Sequence, residues 1–315
     1  MHKLFLKGII MNTEKKNNLT GSIMLMICAI VWGSSFVAQT TGAEYVGPFT
    51  FIALRSLLGS VSLVPVMLIM GMFRKKNTEE VAENKKGKKF FILGGIACGV
   101  CLTFASVLQQ VGIDKGTSPG KAGFITALYI LLVPIFSIVL RKKIRPVIWL
   151  CVAVSLVGLY LLCVTENSVQ SSDFYVLLCA ACYAVHILII DYVSPHVDGV
   201  KLSAMQFLVC GILASIPMLL NEEVSLELIK AAAPSIAYSG IMSSGVAYTL
   251  QILGQQKMNQ PTVASMIMSL ESVFAVISGM IILSQIPTVR ESIGCILMFA
   301  AIIVAQLPEK TSGRA

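Results

Sequence analysis

MSLESVFAV, residues 268–276, sets a carboxylate, Glu271, inside an otherwise apolar run. In water that would be ordinary. In a bilayer an ionisable group at mid-span costs a few kcal/mol even on lenient insertion scales, so the reading turns on whether this segment crosses a membrane. The composition says that it does. The 315 residues are 56% hydrophobic and 13% charged, with mean hydropathy +0.83, whereas a soluble domain carries about 25% charged residues. Ten apolar runs of about 17–25 residues, the length that crosses ~30 Å of hydrocarbon as a helix, lie near 19–38, 48–72, 90–110, 122–140, 147–164, 174–193, 202–220, 235–254, 261–283 and 293–307. Lipid cannot satisfy exposed backbone groups, so helices are expected. Strands of a lipid-facing barrel alternate in polarity, and these runs do not. The expected fold class is an all-α polytopic membrane protein with ten transmembrane helices.

The net charge of +8 could point to nucleic acid, but its placement points to topology. With ten spans and the N-terminus inside, all but five of the 24 Lys and Arg fall on one side, clustered at Lys3, Lys7, Lys15 and Lys16, at Arg74–Lys76 with Lys85–Lys89, and in RKKIR (141–145). Lys115, Lys121, Lys230 and Arg290 fall on the other side, and Arg55 lies within a span. This is the positive-inside pattern. It predicts a multi-pass protein of the cell membrane with both termini cytoplasmic, and basic clusters that meet anionic lipid headgroups rather than nucleic acid. MHKLFLKGII is too short for a cleavable signal and has no small-residue cleavage site. Met11 opens MNTEKKNNLTGS, a natural-looking start, so Met1 and Met11 are both candidate starts.

The two halves match. At an offset of 145, Gly94, Gly95 and Gly99 of the third span fall on Ser239, Gly240 and Ser244 of the eighth, and Thr103, Ser106 and Gln110 fall on Tyr248, Gln251 and Gln255. At 151, Trp32, Ser35 and Gln39 of the first span fall on Tyr183, His186 and Ile190 of the sixth. At 142, SPGKAGFI of the fourth falls on QPTVASMI of the ninth, so that Leu128 meets Leu270 and Tyr129 meets Glu271. Five spans per half means that the second half enters the membrane the other way up. Inverted repeats are common in transporters, with the substrate site where the repeats meet. The expected division is a tail over 1–18, repeats over 19–164 and 173–307, and a tail over 308–315. The small residues by themselves need mean only close helix packing.

The matched triplets share the spacing i, i+3, i+7, which is one helical face. Amides face lipid only at high cost. One such stripe is explained by interhelical hydrogen bonds; four at matching places favour a shared polar cavity. Glu271 lies about 16 Å from the boundary at Gln260, near the bilayer middle, and Arg55 about 10 Å from the other boundary, at about 1.5 Å per residue. The two can pair with each other, or face the cavity separately, Glu271 toward a cation or a proton and Arg55 toward an anion. Lys121 reads as a snorkelling residue at the outer mouth. His186 is a weaker candidate for proton coupling than Glu271, because a core histidine is usually satisfied within the fold. The nine cysteines sit within or at the ends of spans. Cys98/Cys101 and Cys179/Cys182 have CxxC spacing, but their flanks hold no His or acid as a further ligand, and small-residue packing is the favoured reading.

Taken together, IVWGSSFVAQ (30–39), ALRSLLGS (53–60), KAGFITALYILLVPIFS (121–137), VAYTLQILGQQ (246–256) and SLESVFAVISG (269–279) resemble the ten-span EamA-type members of the drug/metabolite transporter superfamily, over about residues 20–307. The resemblance implies a basket of two inverted five-helix repeats around a central cavity that opens alternately to each side, as in relatives that export amino acids, metabolites or drugs. It implies a substrate site from Trp32, Gln39, Arg55, Gln110, Tyr129, Tyr183, Tyr248, Gln251 and Glu271, with protons as a candidate coupling ion. The family often carries Pro directly after the Glu of the ninth span. Ser272 stands there in this chain, which leaves the kink expected at that point open.

The leading expectation is a secondary carrier of a small metabolite, an exporter, with no enzymatic activity, cofactor or metal. An importer of similar solutes is the alternative within transport. A membrane-embedded thiol redox enzyme using the CxxC pairs, and a receptor that binds without flux, are the alternatives outside it. No P-loop is present, so ATP-driven pumping is not expected.

Overall fold

The computed structural model describes residues 2–75, 85–117, 119–163, 170–258, 260–283 and 288–307. Met1, Lys76, the start of SQIPTVRES and the tail 308–315 lie outside them. The first three spans are single helices, α1 (His2–Ala43), α2 (Pro48–Lys75) and α3 (Lys85–Asp114). Helix α1 runs back through residues that the sequence assigned to a tail. The fourth span is broken into α4 (Pro119–Ala127) and α5 (Tyr129–Val139), and α6 (Pro146–Cys163) is the fifth. In the second half α7 (Ser171–Val193) and α8 (Gly199–Asn221) are the sixth and seventh spans. The eighth runs from α9 (Leu226–Ala237) through a π-helical stretch (Tyr238–Ala247) into α10 (Tyr248–Met258). The ninth is broken into α11 (Pro261–Met268) and α12 (Glu271–Leu283), and α13 (Val289–Gln306) closes the chain.

Among the described residues, eight helical segments are long and apolar enough to cross a membrane, and Pro146–Leu162 is a shorter apolar one. The exterior is apolar, with Leu68, Phe104, Leu150, Leu220, Ile281 and Ile296 all well exposed. The interior holds Gln39, Gln109, Gln110, His186, Gln206, Gln251, Gln255 and Glu271, all buried. That inverts the arrangement of a water-soluble protein and is what lipid as solvent requires. Helix ends carry their own signals. Pro opens α2, α4, α6 and α11, where a missing N–H costs nothing. Asp198 caps α8 by accepting from the Val200 and Lys201 amides. The Glu222 carboxylate, at the end of α8, reaches across to accept from the Phe49 and Thr50 amides of α2 at 2.9 and 2.7 Å.

Small residues set the close crossings, and those crossings exchange between the halves. Gly99 of α3 sits on the Gln206 carbonyl and Val209 of α8, where a Cβ would come within 2.8 Å of that oxygen. Gly240 of the eighth span sits likewise on the Arg55 carbonyl and Leu58 of α2, at 3.0 Å. Adding 151 takes Arg55 and Leu58 to Gln206 and Val209, and adding 141 takes Gly99 to Gly240. At a second crossing Gly254 of α10 sits on Leu25 and the Gly21 carbonyl of α1, and its counterpart, Gly112 of α3, sits on Val176 and the Ser172 carbonyl of α7. The Gly254 contact joins the start of span one to the end of span eight, and the Gly112 contact joins the end of span three to the start of span six. Successive spans alternate in direction, so the two crossings lie at opposite faces of the membrane, and the exchange turns one half over onto the other. Gly158 of α6 and Gly294 of α13 meet each other, each against the other's carbonyl.

Candidate functional site

The site grows from the two broken spans. Both breaks fall at the matched positions, Leu128 between α4 and α5 and Ser269–Leu270 between α11 and α12. At each, backbone bonds tighten to i→i−3: Leu128 N to Ile125 O and Leu131 N to Leu128 O in one, Leu270 N to Ile267 O and Ser272 N to Ser269 O in the other. Ser265 and Ser269 hydroxyls donate to the Thr262 and Met266 carbonyls at 2.8 and 2.7 Å, an arrangement that competes with the helix ladder and bends it. The ninth span is therefore interrupted without a proline. Tyr129 opens α5, Glu271 opens α12, and the Tyr129 hydroxyl donates to Glu271 Oε1 at 3.2 Å. A carboxylate in the first turn of a helix also meets the positive end of its dipole. Gly33 lets α1 approach: a Cβ there would lie 2.6 Å from the Glu271 carbonyl.

These two residues stand on the wall of one cavity between the helices. Helix α1 gives it Trp32, Ser35, Phe36 and Gln39; α2 gives Arg55; α3 gives Gln109; α4 gives Thr126. From the second half come Tyr183 and Ile187 of α7, and Ser243, Tyr248 and Gln251 of the eighth span. Trp32 and Tyr248 pack in a tilted pair with ring centroids 4.6 Å apart. The Tyr248 hydroxyl donates to that of Tyr183 at 3.3 Å, and Tyr183 and Ser106 share a hydroxyl contact at 3.4 Å. Helix α11, the first part of the span that carries Glu271, is buried along all eight of its residues. Beyond Thr126 on α4, Lys121 pairs with Asp173 of α7 at 2.5 Å, and Asp173 also accepts from Thr117. The snorkelling expected of Lys121 is replaced by this ion pair. Lys142 and Asp191 pair at the opposite ends of the same two spans.

Arg55 is 2% exposed and Glu271 5%, and no ion pair joins them among the described residues. The Arg55 guanidinium lies over Phe51 at 5.9 Å, and its Nε has no hydrogen-bond partner among the described residues. Trp32 Nε1, Gln39 Oε1 and Gln251 Oε1 are likewise buried and unpartnered. Buried polar atoms left open in this way call for an explanation. On this wall they form donors and acceptors aimed at whatever enters, with one basic and one acidic side chain among aromatic faces.

Of the residues singled out in the sequence, Trp32, Gln39, Arg55, Tyr129, Tyr183, Tyr248, Gln251 and Glu271 share this wall. Gln110 does not: it is buried behind it, donating to the Gln39 carbonyl at 3.3 Å. His186 also lies off the wall, with Nε2 against Gln206 Oε1 at 3.0 Å. Gln109, which donates to Thr126 at 3.0 Å, Ser243 and Phe36 were not anticipated. The CxxC pairs lie on α3 and α7, where Cys101 Sγ contacts the Cys182 carbonyl at 3.1 Å. Among the described residues no group of three or more His, Cys, Asp or Glu gathers in a way that could hold a metal.

A family model described as the EamA-like transporter family matches the chain twice, over residues 19–164 and 170–306. The chain is 26% identical over 297 residues to a protein of Archaeoglobus fulgidus named as an uncharacterized transporter, covering 93% of this chain and 88% of that one. It is 24% identical to the uncharacterized transporter YwfM of Bacillus subtilis, covering 92% and 95%. A solved structure titled only as the crystal structure of a protein superposes with a TM-score of 0.74 at 18% identity, covering 93% of this chain and 96% of that one.

Proposed function

The chain belongs to the EamA-like transporter family, and from that premise we propose that it is a secondary carrier moving a small metabolite by alternating access at the cavity between its two halves. The observation that carries the reading is an acidic and a basic side chain, Glu271 and Arg55, both buried on one cavity wall with no ion pair among the described residues. Holding a lone charge away from water is costly. A solute bearing both an anionic and a cationic group offsets both costs at once, with Arg55 taking the anion and Glu271, among Trp32, Tyr129, Tyr183 and Tyr248, taking the cation. Amino acids are the simplest such metabolites. The solute crosses the cell membrane outward; the basic clusters support cytoplasmic termini. Glu271 is also the group on which a proton would be exchanged for solute.

The test is a thermal-shift screen of the purified protein against amino acids, their decarboxylated amines and their deaminated acids. The reading expects zwitterions to raise the melting temperature, by mass action on the folded state, and to do so less in Arg55→Gln and Glu271→Gln. Stabilisation by singly charged analogues alone would overturn it.

A further inference from the structure

The crossings that relate the halves do not all use one offset. In the upper part of the eighth span the match to α3 is +141: Gly99 to Gly240, and Thr103 to Ser244. Ser244 packs against Gly59 of α2, and adding 151 takes Gly59 to Cys210 of α8. In the lower part the match is +142. Ser106, which contacts Tyr183, corresponds to Tyr248, which packs against Trp32; Gln109 corresponds to Gln251, both on the cavity wall; Gly112 corresponds to Gly254. Between Ser244 and Tyr248 the chain holds three residues, Gly245–Val246–Ala247. Between Thr103 and Ser106 it holds two, Phe104 and Ala105. The eighth span thus carries one residue more than α3 at this point, and this is where it is π-helical, with the Tyr248 amide donating to the Ser243 carbonyl five residues back. Helix α3 has no such stretch. An extra residue in an α-helix turns everything beyond it by about 100°; a π turn absorbs the residue and leaves both flanks in register.

The flanks lean on different seats. Gly240 and Ser244 are seated on α2, through the Arg55 carbonyl, Leu58 and Gly59, while the same stretch also packs along α1, where Tyr238 and Ser34 share a hydroxyl contact. Tyr248 and Gly254 are seated on α1, through Trp32, Leu25 and Gly21. Thr249 spans the joint, donating to the Gly245 carbonyl at 2.6 Å, with a further contact to Ser203 of α8 at 2.9 Å. We propose that the residue inserted at 245–247 is a slip joint in the eighth span, which lets the segment bearing Tyr248 and Gln251 shift against the segment seated beside Arg55 while the helix stays continuous. The joint is present in one half only, so the two halves do not move as equivalents. This concerns the cavity described above and rests on the carrier reading for its purpose, but not for its detection.

The experiment uses two single-residue deletions at exposed positions, Val246 and Phe104, in the full chain in lipid nanodiscs. Deleting Val246 leaves an α-helical eighth span with both flanks in place. Deleting Phe104 turns Ser106, Gln109 and Gly112 away from their partners. The expected result is a melting temperature within about 5 °C of the parent for the first and a loss of about 10 °C or more, or aggregation, for the second. Equal loss in both would overturn the insertion. Nitroxides are then attached through ketone-bearing residues encoded at 241 and 257, which leaves the native cysteines unlabelled. Electron–electron distances between them are expected to be broad or two-peaked in the parent and single and narrow in the Val246 deletion. The same single, narrow distance in both would overturn the joint. Neither readout needs a substrate, so failure of the carrier reading and failure of the joint are separate outcomes.

Discussion

Arg55 and Glu271 are buried, face one cavity and form no ion pair among the described residues. If Glu271 exchanges a proton in the transport cycle, Glu271→Gln keeps the acceptor for the Tyr129 hydroxyl and removes the titration. The expected outcome is a folded protein whose flux no longer responds to pH; an unchanged response, measured in vesicles across pH 5.5–8, would end the proton-coupling idea. Gly33 makes a sharper structural prediction. A side chain there meets backbone atoms of Glu271 and Ala275 at 2.6 and 2.7 Å, which cannot swing aside, so Gly33→Leu should cost about 1–3 kcal/mol by overpacking. Gly71 has nothing within 4 Å of an added Cβ, and Gly71→Ala should instead gain up to about 1 kcal/mol of helix propensity. Melting curves in one detergent compare the two. At this scale the sequence disclosed residue type and depth, not azimuth. Gln109 and Gln110 are neighbours, about 100° apart on α3. Nothing local to them says which one faces the cavity, and an offset of 145, one turn from the true register, selected Gln110.

The broken fourth and ninth spans are what bring Tyr129 and Glu271 together. Sequence alignment at +142 placed Leu128 over Leu270, and the breaks fall there; what it could not supply was the cause. Proline is absent from 272, and the interruption comes from tightened backbone bonds and serine hydroxyls taking helix carbonyls. It follows that Ser272→Pro should be nearly neutral. Residue 272 is the second of α12, where proline is tolerated, and the amide bond it would lose, to the Ser269 carbonyl, is long at 3.3 Å. A change of under about 1 kcal/mol in stability is expected; a drop of several kcal/mol would mean that the break depends on that amide. The π-helical stretch was illegible for a related reason. One extra residue shows only once both flanks can be registered against α3, and that needs the partners in α1, α2, α7 and α8.

Across the whole molecule, the apolar exterior, the ten hydrophobic runs and the opposed halves were open to reading because lipid constrains them so strongly: length, polarity and charge asymmetry all follow from the solvent. The cavity was legible only in part, since its wall is assembled from seven spans and each contributes one to four side chains. The most direct measurement of the carrier reading is counterflow in sealed vesicles. Vesicles holding the parent protein are preloaded with an unlabelled zwitterion that stabilises it, diluted into trace labelled solute, and followed with time. The account predicts a transient, saturable accumulation of label that Arg55→Gln and Glu271→Gln each reduce by about tenfold or more. Binding of the same solute with no counterflow, or counterflow unaffected by both substitutions, would contradict it.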